Sequence, residues 1–381
     1  MEDLEFLTGK NWVGGVSIIV GQNGAGKSSY LRKLAEHGHA QGINTLIICN
    51  TPFDSLGPGK PRKKISARSG TLLPERILKS VITGTYRQSK SRASGVGAVL
   101  DYCGYSTKVT VACRDVDLSN LDDALRHRRS TMSTIAYDEF SVSARLLEFT
   151  KELQFDLAGG VTERFTNSYT FKVLKSEKEL KSAGIVSSID ILLHRKQDGA
   201  PVAVGQASSG QLSLISTLCF LMTKIQKRSL ILIDEPENSL HPQWQREYVD
   251  KIYSVLYLYE PKIFIATHAP MIVSGARSSE IEIEVKQLHG ENEKPQAIDI
   301  EHDGLEETMW DVFGTITPES HFLSEQLVQA LALLKRGERR LEDVQELIER
   351  LRLAVYDKRQ HEVLGAAEAL SKRIAGDAPH D

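Results

Sequence analysis

Eight residues, Gly21-Gln22-Asn23-Gly24-Ala25-Gly26-Lys27-Ser28, constrain this chain more than any others. They satisfy the full pattern Gly-x4-Gly-Lys-Ser. Before them stands an apolar run, Val16-Ser17-Ile18-Ile19-Val20, that reads as a buried strand. After them Lys27 to His37 reads as a helix, with Tyr30, Leu31 and Leu34 at helical spacing. Asn44 to Cys49 reads as a second strand, so the chain opens as a βαβ unit. In that setting the glycines let successive N–H groups turn inward around an anion, and the helix adds its positive end. Lys27 can then reach the outer phosphates of a nucleotide, and the Ser28 hydroxyl can ligate Mg²⁺.

A second acidic motif follows far downstream. Leu230-Ile231-Leu232-Ile233 is a continuous apolar run of the kind buried in a parallel sheet, and it ends in Asp234-Glu235. Asp234 is placed to hold Mg²⁺, and Glu235 to act as general base toward a water. The cluster Ala207-Ser208-Ser209-Gly210-Gln211 opens a helix running to about Gln226, and its glycine lies 24 residues before Asp234. By itself it is a good N-cap. Its functional alternative is a second phosphate-binding surface. Further helix and strand patterns run from Pro242 to Leu258 and from Ile263 to Ala266.

Taken in order, the phosphate loop, Ser208–Gln211, Asp234-Glu235 and then His268 in Ala266-Thr267-His268-Ala269-Pro270 resemble the ATP-binding-cassette (ABC) ATPases. Ser208–Gln211 matches that family's signature, and Glu237-Asn238-Ser239-Leu240-His241-Pro242 resembles its D-loop. The resemblance covers roughly residues 1–50 and 200–290. It implies an α/β fold: an ABC-type P-loop ATPase head over 1–50 and 200–315, an insertion over 51–199, and a helical appendage over 316–381. It implies ATP and Mg²⁺ as cofactors, with Gly21, Gln22, Asn23, Gly24, Ala25, Gly26, Lys27, Ser28 and Ser29 around the phosphates. It implies Ser28 and Asp234 on the metal, and Glu235, His268 and Lys27 as the reacting groups. It also implies a head-to-tail homodimer or a higher oligomer. In it Ser208, Gly210 and Gln211 of one copy complete the ATP site of the other. No glutamine follows the second strand, where the segment is Asn50-Thr51-Pro52-Phe53-Asp54, and no adenine-stacking aromatic stands out beyond Phe6 and Trp12, for which packing is the simpler role.

About 155 residues separate Cys49 from Gly205, more than a transporter head holds. The Ser-Ser-Gly-Gln signature and the Glu-Pro-Glu-x-x-Leu-His-Pro segment are similar to those of soluble members. These include chromosome-maintenance and recombination ATPases, overcoming-lysogenisation-defect nucleases, and ATPase subunits of anti-phage systems such as Septu and retron-associated modules. The insertion lacks long heptads. The stretch Glu280–Asp311 carries eleven acids against Lys286 and Lys294, with Asp299, Glu301 and Asp303 alternating. The chain beyond is helical, which leaves no room for a TOPRIM nuclease fold. A nuclease activity is therefore expected from a separate effector.

Within the insertion Lys60–Arg92 carries ten Lys or Arg against the single acid Glu75. Cations such as Arg62, Lys63, Lys64 and Arg68 on a mobile loop would suit nucleic-acid phosphates. The alternatives are a solvated loop, or one docked on an acidic surface. Helices are expected around Leu118–Arg129 and Tyr137–Leu153, and strands at Tyr169–Val173, Ile189–Leu193 and Val202–Val204. Another strand is expected at Glu280–Val285, paired with Ala297–Glu301, and three helices from His321 onward.

The remaining features set bounds. Hydrophobic residues make up 41% and charged residues 25% of 381, ordinary globular values, and the net charge of −3 gives no global pull toward nucleic acid or membrane. Cys49, Cys103, Cys113 and Cys219 show no metal spacing and read as buried thiols of a reducing cytoplasm. The acidic start Met1-Glu2-Asp3-Leu4 lacks a signal-peptide core, and no run is long enough to span a bilayer. A cytoplasmic protein with no membrane partner is expected.

Overall fold

A computed structural model describes residues 12, 14–51, 56, 63–66, 73–88, 90–158, 163–238, 240–277, 281–290, 293–298, 304–316, 321–355 and 358–376. The chain starts with β1 (Gly15–Val20), α1 (Lys27–Ala40), β2 (Thr45–Cys49) and β3 (Lys64–Ser66). There follow α2 (Leu73–Gln88), α3 (Lys90–Tyr102), β4 (Tyr105–Arg114), α4 (Leu121–Thr131), α5 (Thr134–Leu146) and β5 (Glu152–Asp156). Next come α6 (Glu163–Lys175), α7 (Glu177–Ser182), β6 (Ser188–Arg195) and β7 (Pro201–Ala203). Then α8 (Ser209–Lys224), β8 (Leu230–Asp234), α9 (Pro242–Leu256), β9 (Lys262–Ala266) and α10 (Pro270–Arg277) return to the first sheet. The chain continues through β10 (Ile283–Gln287), β11 (Gln296–Ala297), α11 (Leu305–Phe313), α12 (His321–Lys335), α13 (Leu341–Ala354) and α14 (Lys358–Gly376).

The larger sheet has the order β11-β10-β1-β9-β8-β2-β3 and is parallel apart from β11 at one edge. Its central strands β1, β9, β8 and β2 are buried on both faces, and their two-residue period divides the core. Ile19, Ile47, Leu232 and Phe264 point toward α1, where they meet Leu31, Leu34 and Ala35. Ile18, Ile48, Ile233 and Ile265 point the other way, into the cluster that includes Leu214, Leu218 and Ile252 of α8 and α9. Register aligns the strand ends: Cys49 faces Asp234, and Asp234 faces Ala266. β9 lies between β1 and β8, so the loops after all three strands emerge side by side at one edge of the sheet, the place where open parallel sheets bind ligands.

The second sheet, β5-β4-β6-β7, is antiparallel. Its buried side chains, among them Val109, Val111, Phe155, Ile191 and Leu193, join the same apolar cluster as the head. α2 and α3 pack against α8 through Leu78, Val81, Val96 and Val99. The C-terminal helices have a cluster of their own, around Leu327, Val344, Ile348, Leu351 and Leu364.

Several expectations need correction. The basic segment is not one loop: it contains β3 and the whole of α2, whose Ile77, Leu78, Val81 and Ile82 are buried. Within it Lys79 is tied to Glu75 (2.8 Å) and Glu177 (2.9 Å). Tyr169–Val173 is the middle of α6, where Thr170, Phe171, Val173 and Leu174 are buried at helical spacing. Aromatic and β-branched content imitated a strand there. The helix expected to reach Leu153 ends at Leu146, because Leu153 and Phe155 alternate with exposed Glu152 and Gln154 in β5. β4 and α11 were not foreseen. The acidic strand begins at Ile283 and pairs with Gln296–Ala297, while Glu280 and 299–303 lie outside the described residues. Phe6, Arg62 and Arg68 also lie outside them. All four cysteines are free and buried, and no described helix is long and apolar enough to cross a membrane.

Candidate functional site

The turn from β1 into α1 is shaped by its glycines. Gly24 (φ +84°) and Gly26 (φ +90°) take left-handed backbone that disfavours a Cβ. Gly21 is fixed by space, since a Cβ there would stand 2.4 Å from the Leu288 carbonyl oxygen. Gly26 is the N-cap of α1 and brings no side-chain acceptor, and no acid stands in the first turn. An anion facing this helix start therefore meets N–H groups and no carboxylate from the helix's own first turn. Lys27 Nζ spans the loop, donating to the carbonyls of Gly21 (2.7 Å) and Gln22 (3.1 Å). Burial lowers its pKa, and the nearby Glu235, Glu237 and Asp234 oppose that.

Ser28 Oγ donates to Asp234 Oδ1 at 3.1 Å across the gap between α1 and β8. Asp234 is buried, and its Oδ2 has no hydrogen-bond partner. Burial raises its pKa to about 6. A half-buried hydroxyl beside a buried carboxylate with one orphaned oxygen fits Mg²⁺, which takes one or two protein oxygens and completes its shell with phosphate and water. Among the described residues there is no cluster of three or more His, Cys, Asp or Glu that would suit a metal held by protein alone.

Glu235 follows Asp234 with φ +49°, a left-handed conformation unusual for a residue with a side chain. Its N–H donates to the Ala266 carbonyl (2.9 Å). Asn238 Nδ2 donates to Glu235 Oε2 (3.1 Å) and to the Asn50 carbonyl (3.3 Å). His268 Nδ1 lies 3.7 Å from Glu235 Oε1. It is held more closely by buried Glu237, whose Oε1 accepts the His268 backbone N–H (2.9 Å) and stands 3.1 Å from Nδ1. Asn50 ends β2 beside this group, its N–H donating to the Asp234 carbonyl (3.1 Å).

The structure brings Lys27, Ser28, Asp234, Glu235 and His268 together at one edge of the sheet, and sequence reading passed over the positions that hold them. Glu237 and Asn238 were read only as part of a loop. The run of acids Asp234, Glu235 and Glu237 within four residues was the available signal. Trp12 lies at the opposite, amino edge of the sheet, with Nε1 donating to the Glu260 carbonyl (2.9 Å) and its ring against the α1 cluster, so it does not serve the loop.

The signature residues stand apart. Ser208 caps α8 in a capping box with Gln211: the Gln211 N–H reaches Ser208 Oγ (3.3 Å), and the Ser208 N–H reaches Gln211 Oε1 (3.4 Å). Ser208 and Ser209 are exposed and Gly210 is buried. Gln211 is tied to the insertion, accepting from Tyr105 OH (2.8 Å) and donating to the Cys103 carbonyl (3.0 Å). Among the described hydrogen bonds of Ser208 and Gln211, none reaches Gly21–Ser28.

Residues 106–274 match the family described as "AAA domain, putative AbiEii toxin, Type IV TA system". That span carries Ser208–Gln211, Asp234, Glu235, Glu237 and His268. Solved structures similar to the chain include the ADP conformation of an ATP-binding cassette of an ABC transporter, at 15% identity and a TM-score of 0.30, covering 78% of this chain and 84% of that one. Another is VirB4 of Thermoanaerobacter pseudethanolicus, at 14% identity and 0.27, covering 71% and 75%. A third is the Smc head domain with an extended coiled coil bound to the C-terminal domain of ScpA, derived from Pyrococcus furiosus, at 12% identity and 0.31, covering 75% and 91%. Sheet order and motif placement define an α/β P-loop fold, with a mixed insertion and a C-terminal helical region.

Proposed function

We propose that this chain binds Mg·ATP, closes a homodimer around two ATP molecules, and hydrolyses them. The observation that carries this is the pairing at the end of β8, where Asp234 accepts from Ser28 and adjacent Glu235 is steadied by Asn238. Bound Mg²⁺ would sit against Ser28 and Asp234 and neutralise charge on the outer phosphates. Gly21–Ser29 would cradle the phosphates, with Lys27 as the fixed cation. Glu235 would take the proton of an attacking water, and His268, oriented by Glu237, would contact the γ-phosphate. Ser208 and Gly210, exposed or at the helix start and engaged away from their own phosphate loop, would complete the site of a second copy. Gln211 would act by holding that turn.

In the same reading ATP-driven closure controls a separate effector, a nuclease, in cytoplasmic anti-phage defence. The matched family's description as a toxin of a toxin–antitoxin system supports a two-component arrangement. The test is Glu235→Gln: loss of hydrolysis with a retained, ATP-dependent dimer is expected, and full turnover in that variant would refute the base assignment.

A second reading is a repair or recombination ATPase acting on DNA directly. Its basis is the basic segment, in which Lys63 and Lys64 stand at β3 on the sheet edge. DNA-stimulated turnover that vanishes when Lys63 and Lys64 are changed to Ala would favour it. Measurable turnover without DNA would exclude a third possibility, a nucleotide-gated scaffold that does not turn over.

A further inference from the structure

We infer that the turn joining α3 to β4, Tyr102–Tyr105, sets the position of the signature turn, with Tyr105 as the positioning residue, and so makes ATP turnover responsive to the inserted sheet. The inference rests on the reading of Ser208–Gln211 as the half-site offered to a second copy.

Gln211 is the pivot. Its side-chain oxygen meets Tyr105 OH (2.8 Å) and Ser208 Oγ (3.0 Å), and its nitrogen donates to the Cys103 carbonyl (3.0 Å). A carboxamide held at both ends has one orientation, and that orientation fixes the Ser208 cap and the first N–H groups of α8. The holding groups are themselves fixed, since Tyr105 is 3% and Cys103 2% exposed. Gly104 between them takes φ +84°, which lets the chain reverse, and its carbonyl accepts from the Lys196 N–H (2.9 Å). Tyr105 is paired with Arg195 of β6. The turn therefore belongs to the inserted sheet, yet reaches out to the signature helix.

It also reaches a second element of the head. Tyr102 OH donates to Glu247 Oε2 (2.7 Å), and Lys251 Nζ stands 4.8 Å from the centre of the Tyr102 ring. Both partners lie on α9, the helix after the segment that holds Glu237 and Asn238. Four residues thus join the inserted sheet to α8 and α9 of the head.

The other side of α8 is open. Asn50, Asn238, Ser66 and the first turns of α8, with Ser209, Ser213 and Ser216, line a cavity of about 530 Å³. Ser216 Oγ is buried without a hydrogen-bond partner. On the side facing the hydrolytic residues, space replaces packing. Among the described residues, the contacts to Tyr105 and Cys103 are the hydrogen bonds that tie Gln211 of the signature turn to the insertion.

The experiment uses the full chain and reads ATP turnover against protein concentration, ATP binding by a fluorescent ATP analogue, and thermal stability. Tyr105→Phe keeps the buried ring and removes only the hydroxyl. It is expected to leave the melting temperature and analogue affinity near wild type, while raising the protein concentration for half-maximal turnover about tenfold, the scale of one lost buried hydrogen bond. In the Tyr105→Phe/Gln211→Ala double variant, Tyr105→Phe should add nothing to the effect of Gln211→Ala alone, because the hydroxyl acts through Gln211. Wild-type concentration dependence in Tyr105→Phe, or multiplying effects in the double variant, would overturn the inference. Ser208→Arg separates the two levels. Wild-type turnover there sinks the composite-site reading itself, whereas lost turnover there with normal Tyr105→Phe sinks only the role of the turn.

Discussion

At the residue scale the site is built at the expense of stability. Asp234 is buried beside Glu235 and Glu237 with one oxygen unpartnered, and its pKa is pushed up to about 6 by burial. Without metal, the folded chain holds a proton on Asp234 between about pH 4 and pH 6 that the unfolded chain has released. The resulting stability is fully present below about pH 4 and lost as pH rises through about 6. At pH 7.5 the bare carboxylate is a strain that Mg²⁺ would relieve. Asp234→Asn should therefore stabilise the metal-free chain at pH 7.5, by on the order of 2–3 kcal/mol, and raise its melting temperature. The gain should shrink at pH 5, and the response to Mg²⁺ should disappear. Thermal unfolding in chelator at the two pH values checks this, and a lower melting temperature at pH 7.5 would contradict it. Glu237 works differently, as a buried acceptor for His268. Glu237→Gln is expected to lower kcat about 10- to 100-fold, the worth of a charge-assisted hydrogen bond, with ATP binding kept.

At the element scale the helices are placed by close approach. α10 crosses α9 at Gly275, where a Cβ would stand 1.9 Å from the Arg246 carbonyl oxygen. Gly275→Ala must push the two helices apart, at a cost of about 1–3 kcal/mol. Gly84 in α2 has nothing within 4 Å of a would-be Cβ, so Gly84→Ala should instead stabilise by about 0.5–1 kcal/mol through helix propensity. Urea unfolding of both variants checks the opposite signs. The elements themselves were legible in unequal measure. β1, β2, β8 and β9 are continuous apolar runs, and α1, α8 and α9 carry helical periods, so local pattern and tertiary role agree. β4 reads from Tyr105 to Arg114 with polar residues on one side and was missed. α6 was misread because Tyr169, Phe171 and Val173 suit a strand by composition, while packing on β5 buries Thr170, Phe171, Val173 and Leu174 at helical spacing.

At the scale of the whole molecule, the test is assembly. Glu235→Gln with Mg·ATP is expected to shift the mass in light scattering from 42.3 kDa to about twice that, and Ser208→Arg in the same background to prevent it. A Glu235→Gln chain that stays monomeric with ATP bound would refute the composite site. The C-terminal helices have their own apolar cluster, joined to the head near Trp310, whose ring lies 6.2 Å from Phe322 and under the Arg350 guanidinium at 5.6 Å.

Sequence alone determined the glycine loop, the acids Asp234 and Glu235 at a strand end and the Ser208 cap, because each is local: a glycine pattern, a strand ending in acids, a serine before a helix. Their convergence needed the sheet. Only the order β1-β9-β8 brings Ser28 to Asp234 across 206 positions and sets His268 beside Glu235 and Glu237. Only the antiparallel insertion brings Tyr105 to Gln211 across 106 positions. Contacts between such distant positions leave no periodic trace in a sequence, since they depend on how two sheets pack about one helix.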